Sequence, residues 1–145
     1  MAERIDALKV LVVTGGGRGI GAATALLAAE HGFAVVVNYQ SRAEATAEVV
    51  ARIHAKGAKA VAVRGDVSKP GDVDQIFRAA DGLGRLAGLV NNAGIVDMPA
   101  RVDEMSAERL ERMFAVNVTG SFLCAGAAIR RMSTKHGGQG GAIVN

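Results

Sequence analysis

Thr14-Gly15-Gly16-Gly17-Arg18-Gly19-Ile20-Gly21 carries the clearest chemical signal in this chain of 145 residues. It follows an apolar run, Leu8 to Val13, and opens an Ala/Leu-rich segment from Ala22 to Ala29. A strand, a glycine turn and a helix start, in that order, present backbone N–H groups and a positive helix end to an anion such as phosphate. Taken alone, the pattern also fits a plain strand-to-helix turn. Further small or polar residues follow at Asn38, Asp66 and Asn91-Asn92-Ala93-Gly94, and Asn117 stands among apolar neighbours.

A regular alternation of elements is needed to bring these residues together. Residues 8–14 and 33–38 are rich in β-branched side chains, as strands buried on both faces should be. Residues 59–63, 86–90 and Ala142–Val144 complete the set. Between them the spacing is helical: Ala45, Val49 and Ile53 share one face, as do Val73, Ile76, Phe77 and Ala80. Gly32, Gly57 and Gly84 fall where helices should end. Ser41 with Glu44 fits a capping box, and Ser68 with Pro70 also reads as a helix start. The alternation predicts an α/β fold, a doubly wound parallel sheet with helices on both faces. Ligands of such sheets bind beyond the carboxyl ends of the strands, where the strand order reverses. The glycine turn, Asn38, Asp66 and residues 91–94 all fall at that end.

Residues 106–132 are the longest helix candidate. Leu110, Met113, Phe114, Asn117, Cys124 and Ala128 fall roughly on one stripe, so Asn117 is expected as an amide on an apolar face. Burying it unpaired costs ~1–3 kcal/mol, so it needs a partner, for which neighbouring backbone suffices. A second stripe, Val118, Phe122, Ala125, Ile129 and Met132, is also apolar. A helix apolar on two sides needs two partners. The sheet is one; a second copy of the chain is the expected other, giving a homo-oligomer.

Half the residues are apolar and 21% are charged, which suits one globular domain over residues 1–145. The net charge is +3, but the basic residues are scattered, with Arg130-Arg131 the only adjacent pair, and aromatics are 3%. Nucleic acid is therefore not expected as a partner. Cys124 is the only cysteine, which rules out an internal disulfide and a cysteine-cluster metal site, and it is expected to be an inert buried thiol. No metal site is expected. His31, His54 and His136 are expected to face solvent. The first four residues are expected to lead straight into the first strand with no signal peptide, and no apolar run is expected to reach membrane-spanning length. A cytoplasmic location without membrane contact is the expectation.

With these motifs in hand, the chain resembles the short-chain dehydrogenases/reductases, in the branch with Thr-Gly-x-x-x-Gly-x-Gly, present here from Thr14 to Gly21. Asp66-Val67, Asn91-Asn92-Ala93-Gly94 and Asn117-Val118-Thr119-Gly120 follow in the family's order. The glycine spacing differs from the Gly-x-x-Gly-x-x-Gly of epimerase-like relatives. Glucose-dehydrogenase-like and ketoacyl-reductase-like members are the most similar in pattern. The resemblance implies a Rossmann-type fold and an enzyme moving hydride between a nicotinamide and a small carbonyl or alcohol substrate. It implies that backbone around Gly15, Arg18, Gly19, Ile20 and Gly21 holds the pyrophosphate and nearby ribose. Asp66 would accept from the adenine amino group, with Val67 lending its backbone, and Asn92, Ala93 and Gly94 would run along the cofactor. Asn117 matches the family's catalytic asparagine, whose helix backbone holds a water in the proton relay to a lysine.

An NAD-preferring site usually ends its second strand with an acid that holds the ribose 2′-OH. No acid occurs between Glu30 and Glu44; Asn38 holds that position, followed by Tyr39, Gln40, Ser41 and Arg42. Arg18, Arg42 and the Ser41 hydroxyl would suit a 2′-phosphate, so NADP is the expected cofactor, with NAD as the alternative. A plain helix cap with surface arginines is the simpler account of the same residues.

The family's chemistry also needs a serine just after the fifth strand and a Tyr-x-x-x-Lys. The sole tyrosine, Tyr39, is followed four residues later by Ala43, and the sequence closes on Gly141-Ala142-Ile143-Val144-Asn145. The expectation is an amino-terminal part of a reductase, incomplete at its carboxyl end and inactive alone. The alternative is a non-catalytic dinucleotide-binding or self-associating module.

Overall fold

Alternate residues of the central strands feed two separate cores, and that division sets the architecture. The computed structural model describes residues 7–145. The expectation about the first four residues lies outside them. Five strands, β1 (Lys9–Val13), β2 (Ala34–Tyr39), β3 (Ala60–Arg64), β4 (Arg85–Val90) and β5 (Ala142–Val144), form one sheet of order β3-β2-β1-β4-β5. Every pairing is parallel. Val10, Val12, Ala34, Val36, Leu86 and Leu89 point to one face. There they meet α3 (Pro70–Leu83) through Val73, Ile76, Phe77 and Ala80, and α5 (Gly120–Met132) through Cys124, Ala127 and Ala128. Val13, Val35 and Val37 point to the other, against α1 (Gly19–Glu30) and α2 (Ala43–Ala55). Each buried valine contributes about 1.5–3 kcal/mol, which is why β1 and β2 read as continuous apolar runs.

The strand order reverses between β2 and β4 at β1, so the glycine turn leaves the sheet at the switch point. Gly32 and Gly57 adopt φ of 84° and 81° just past α1 and α2, a conformation that glycine reaches without strain. Pro70 opens α3 as expected, but Lys69 is its N-cap. The Ser41–Glu44 capping box does not form. Arg42 is the N-cap of α2, and no side chain caps it. The reason is local: the Arg42 carbonyl takes both the N–H (3.1 Å) and the hydroxyl (2.7 Å) of Thr46, so the helical ladder starts one residue after Ser41.

The long helix is real but not uniform. Ser106 caps α4 (Ala107–Phe114) by accepting from the Arg109 N–H at 3.2 Å. A π-helical segment, Ala115–Thr119, then joins α4 to α5. That wider turn shifts the helical phase, so one stripe cannot run straight through it. Cys124 and Ala128 are buried as expected, whereas Leu110, Phe114 and Asn117 are exposed. Val118, Phe122 and Ile129 are also exposed, and Met132 turns into the core. The expectation that no apolar segment reaches membrane-spanning length is corrected: Ala107–Met132, 26 residues, is long and apolar enough by length and composition. One side of this helix nevertheless packs on the sheet, and Glu108, Glu111, Arg112, Arg130 and Arg131 lie along it.

Candidate nucleotide-binding site

Thr14, buried directly after β1, ties the glycine turn to the loop after β4. Its hydroxyl donates to the Val90 carbonyl at 3.3 Å and accepts from the Asn92 and Ala93 N–H groups, each at 3.0 Å. The Asn92 amide donates back to the Thr14 and Gly15 carbonyls at 3.0 Å. Close approach demands glycine here. Gly15 has φ of 60°, and a Cβ on it would lie 2.9 Å from the Ala93 Cα. The family motif includes Thr14, but its role as a staple depends on a three-dimensional neighbour that spacing does not reveal.

Asn38 closes the turn from the other side. Its Oδ1 accepts from the Gly15 N–H at 3.2 Å, and its carbonyl accepts from the Gly16 N–H at 2.8 Å. Its amide donates to the Val63 and Gly65 carbonyls at 3.3 and 3.0 Å. Both donors and the acceptor oxygen of this buried amide are therefore engaged by backbone. The Asn38 side chain thus braces the turn, and the residue also lines the first of the clefts beside it.

Two clefts open around this frame. The first, about 100 Å³, is lined by Gly15, Asn38, Gln40, Gly65, Asp66, Val67, Ala93, Gly94, Ile95 and Val116. It brings Asp66 and Val67 together with Ala93 and Gly94 around one cleft. Burial pushes the Asp66 carboxyl up, but the hydroxyl and N–H of Ser68, with the Lys69 and Arg112 charges, outweigh it and hold the group below its ordinary range. Asp66 Oδ1 accepts from both Ser68 donors at 2.7 and 3.0 Å, and Oδ2 accepts from the Gln40 amide at 3.2 Å. The carboxylate is thus ionised and oriented, with lone pairs to spare.

The second cleft, about 110 Å³, is lined by Gly15, Gly17, Arg18, Tyr39, Gln40, Ser41 and Arg42. Two arginines and two hydroxyl-bearing residues, Tyr39 and Ser41, are among its lining residues, and no Asp or Glu is. Gly19, with φ of 55°, and Gly21 start α1 beside this cleft, with Ile20 exposed between them. A Cβ on Gly21 would lie 2.5 Å from both the Asn92 amide nitrogen and the Gly15 carbonyl. Gln40, absent from the expected set, lines both clefts. Nothing in its spacing marks it out.

Asn117 lies at the centre of the π-helical segment, exposed rather than buried. Its amide donates to the Ile95 carbonyl and its Oδ1 accepts from the Ile95 N–H, both at 2.8 Å. Neighbouring backbone is therefore its partner, and the pairing fixes the start of the loop after Gly94. The Asn117 carbonyl accepts from the Ser121 hydroxyl at 3.2 Å. Beyond it, Asn117, Val118, Ser121, Phe122, Ala125 and Asn145 line a mostly apolar hollow of about 330 Å³.

A parallel sheet of this order, with a glycine turn stapled at its switch point, defines a doubly wound α/β protein of the nucleotide-binding class. Within that class, the chain belongs to the short chain dehydrogenase family, whose profile matches residues 9–145. It is 48% identical over 139 residues to an uncharacterised oxidoreductase, YgfF, of Escherichia coli, covering 95% of this chain and 56% of that protein. Acetoin dehydrogenase from Enterobacter cloacae superposes with a TM-score of 0.86 at 37% identity, over 94% of this chain and 54% of its own. A short chain dehydrogenase from Burkholderia cenocepacia, solved in complex with NADP, superposes with a TM-score of 0.81 at 38% identity, over 85% and 50%. The chain spans about half the length of the relatives it matches.

Proposed function

We propose that these residues form the cofactor-binding part of an NADP-dependent oxidoreductase that moves a hydride between the nicotinamide and a small carbonyl or alcohol substrate. The cleft between Arg18 and Arg42 carries the cofactor choice: two arginines and Ser41 suit a ribose phosphate, and no acid stands there to take a ribose hydroxyl. The NADP complex of the Burkholderia relative supports the same reading. When bound, the dinucleotide supplies the hydride chemistry. The chain's own residues bind and orient it. With the Gly15 and Gly16 N–H groups held by Asn38, the N–H groups around Arg18, Gly19, Ile20 and Gly21 face the pyrophosphate, Asp66 accepts from the adenine amino group, and Ala93 and Gly94 flank the rings. Asn117 holds the Ile95 loop and keeps its backbone carbonyl at the edge of the apolar hollow, where a relay water would sit.

Titration of the purified protein with NADPH and NADH tests this. Arg18→Ala and Arg42→Ala should each weaken NADPH binding roughly tenfold and leave NADH nearly unchanged, as loss of a charge-assisted contact implies. Equal losses for both cofactors would remove the phosphate role.

The second reading is a dinucleotide-binding unit without turnover. NADPH binding without any carbonyl reduction by the 145-residue protein is its expected signature. The exposed Val118 of the π-helical segment, with Phe122 and Ile129 of α5, supports a homo-oligomer built through residues 106–132. Sedimentation of a Phe122→Glu variant, expected to run as a monomer, checks that. A cytoplasmic location belongs to the same proposal, and cell fractionation checks it.

A further inference from the structure

Three polar side chains are buried among the described residues: Thr14, Asn38 and Thr46. The first two brace the glycine turn. Thr46 lies on α2 and contacts neither the sheet ends nor the loop after β4 through its hydrogen bonds. Its hydroxyl donates to the Arg42 carbonyl at 2.7 Å, and Arg42 is the residue at which the second cleft meets α2. The same oxygen abuts Gly17, which lines that cleft too: a Cβ on Gly17 would collide with Thr46 Oγ1. A helical hydroxyl bonded to the carbonyl four residues back is ordinary, and Thr24 does the same with Ile20 on the exposed face of α1. Thr46 differs because its hydroxyl is fully buried and touches a second element.

We infer that Thr46 is a positioning residue: its buried hydroxyl, wedged between Gly17 and the Arg42 carbonyl, sets the gap between the two arginine-bearing walls and so the preference for a phosphorylated ribose. The inference rests on the NADP reading above and deepens it. The hydroxyl holds the Arg42 backbone at the helix start, where N–H groups favour an anion, and holds Gly17 at the distance that keeps Arg18 across from it. Valine has the same shape but cannot donate to the carbonyl. Serine can.

The test titrates the 145-residue protein with NADPH and with NADH and follows binding by cofactor fluorescence. Thr46→Val should lose roughly five- to tenfold in NADPH affinity, as expected for one lost buried hydrogen bond, while NADH changes by less than about twofold. Thr46→Ser should keep the native ratio. Gly17→Ala should weaken NADPH binding, and adding Thr46→Ala should return it to the level of Thr46→Ala alone. Without the oxygen, the nearest Thr46 atom to the new methyl is its Cβ at 3.4 Å. A native NADPH-to-NADH ratio in folded Thr46→Val, or a Gly17→Ala defect that Thr46→Ala does not relieve, overturns the inference. If Thr46→Val does not fold by circular dichroism, the Gly17–Thr46 pair decides alone. Should Arg18→Ala and Arg42→Ala leave the ratio untouched, the NADP reading falls and takes the inference with it. Active arginines with a silent Thr46→Val sink the inference only.

Discussion

Asn117 and Ile95 are joined by two reciprocal hydrogen bonds of 2.8 Å, so a side-chain amide on the helix mimics a strand partner for the loop that follows β4. Both bonds lie at the surface, where water competes, so each is worth about 0.5–1.5 kcal/mol. Asn117→Ala should therefore cost about 1–2 kcal/mol in chemical denaturation. Faster amide exchange at Ile95, with exchange in β1 unchanged, would locate the loss in this loop. A uniform increase across the sheet would contradict it.

Thr14 makes a sharper demand because it is buried. Thr14→Val keeps the shape but strands the Ala93 N–H, which costs ~1–3 kcal/mol when left unpaired, whereas the Asn92 N–H retains the Val90 carbonyl at 3.0 Å. A loss of about 1–3 kcal/mol is expected, with Thr14→Ser close to native, measured by urea unfolding. Equal losses in the two variants would assign the effect to the methyl group instead.

Arg131 joins α5 to α3. Its Nε and a terminal nitrogen bond both Asp81 carboxylate oxygens at 2.7 and 2.8 Å, and its guanidinium lies 5.4 Å from the Phe77 ring centre. The Asp81 hydrogen bond raises the Arg131 pKa, against a smaller opposing effect of burial. Because Asp81 is half-exposed, solvent screens the pair, and Arg131→Gln should lower stability by only about 1 kcal/mol. Lysine cannot reproduce the two-pronged contact, so Arg131→Lys should recover less than half of that in thermal melts.

Cys124 is packed under the sheet, and burial pushes its thiol from the ordinary 9.0 up to about 11. A raised folded value means that the folded state holds its proton while the unfolded chain releases it. This contribution to stability is complete below 9.0 and lost as pH rises towards about 11. Cys124→Ala should remove that slope from the alkaline limb of a stability-versus-pH curve. A thiol reagent at pH 8 should label the native protein only as fast as it unfolds.

Much of the fold was legible because its signals are local. Apolar runs in β1 and β2, glycines at Gly32 and Gly57 and the spacing of Val73, Ile76, Phe77 and Ala80 each point to one element without reference to the others. The family profile and the observed sheet agree with that reading. What spacing could not carry were relationships between elements. That Asn38 also braces the turn through three backbone partners shows only when those partners are seen. Ser41 looks like a cap until Thr46 claims the Arg42 carbonyl. The stripe through Leu110, Asn117 and Cys124 assumed one uninterrupted helical period, and the π-helical segment breaks it.

That segment also makes chain length a structural variable. An α-helical residue advances the chain by about 100°, so removing one residue between Ala115 and Thr119 would relax the wide turn to an ordinary one and rotate α4 by about that angle against α5. The sheet-facing side of α5 would be undisturbed, and the deletion should be tolerated by the fold. Asn117 would nonetheless swing away from Ile95. Here a single-residue deletion separates what the helix does for the core from what it does for the site.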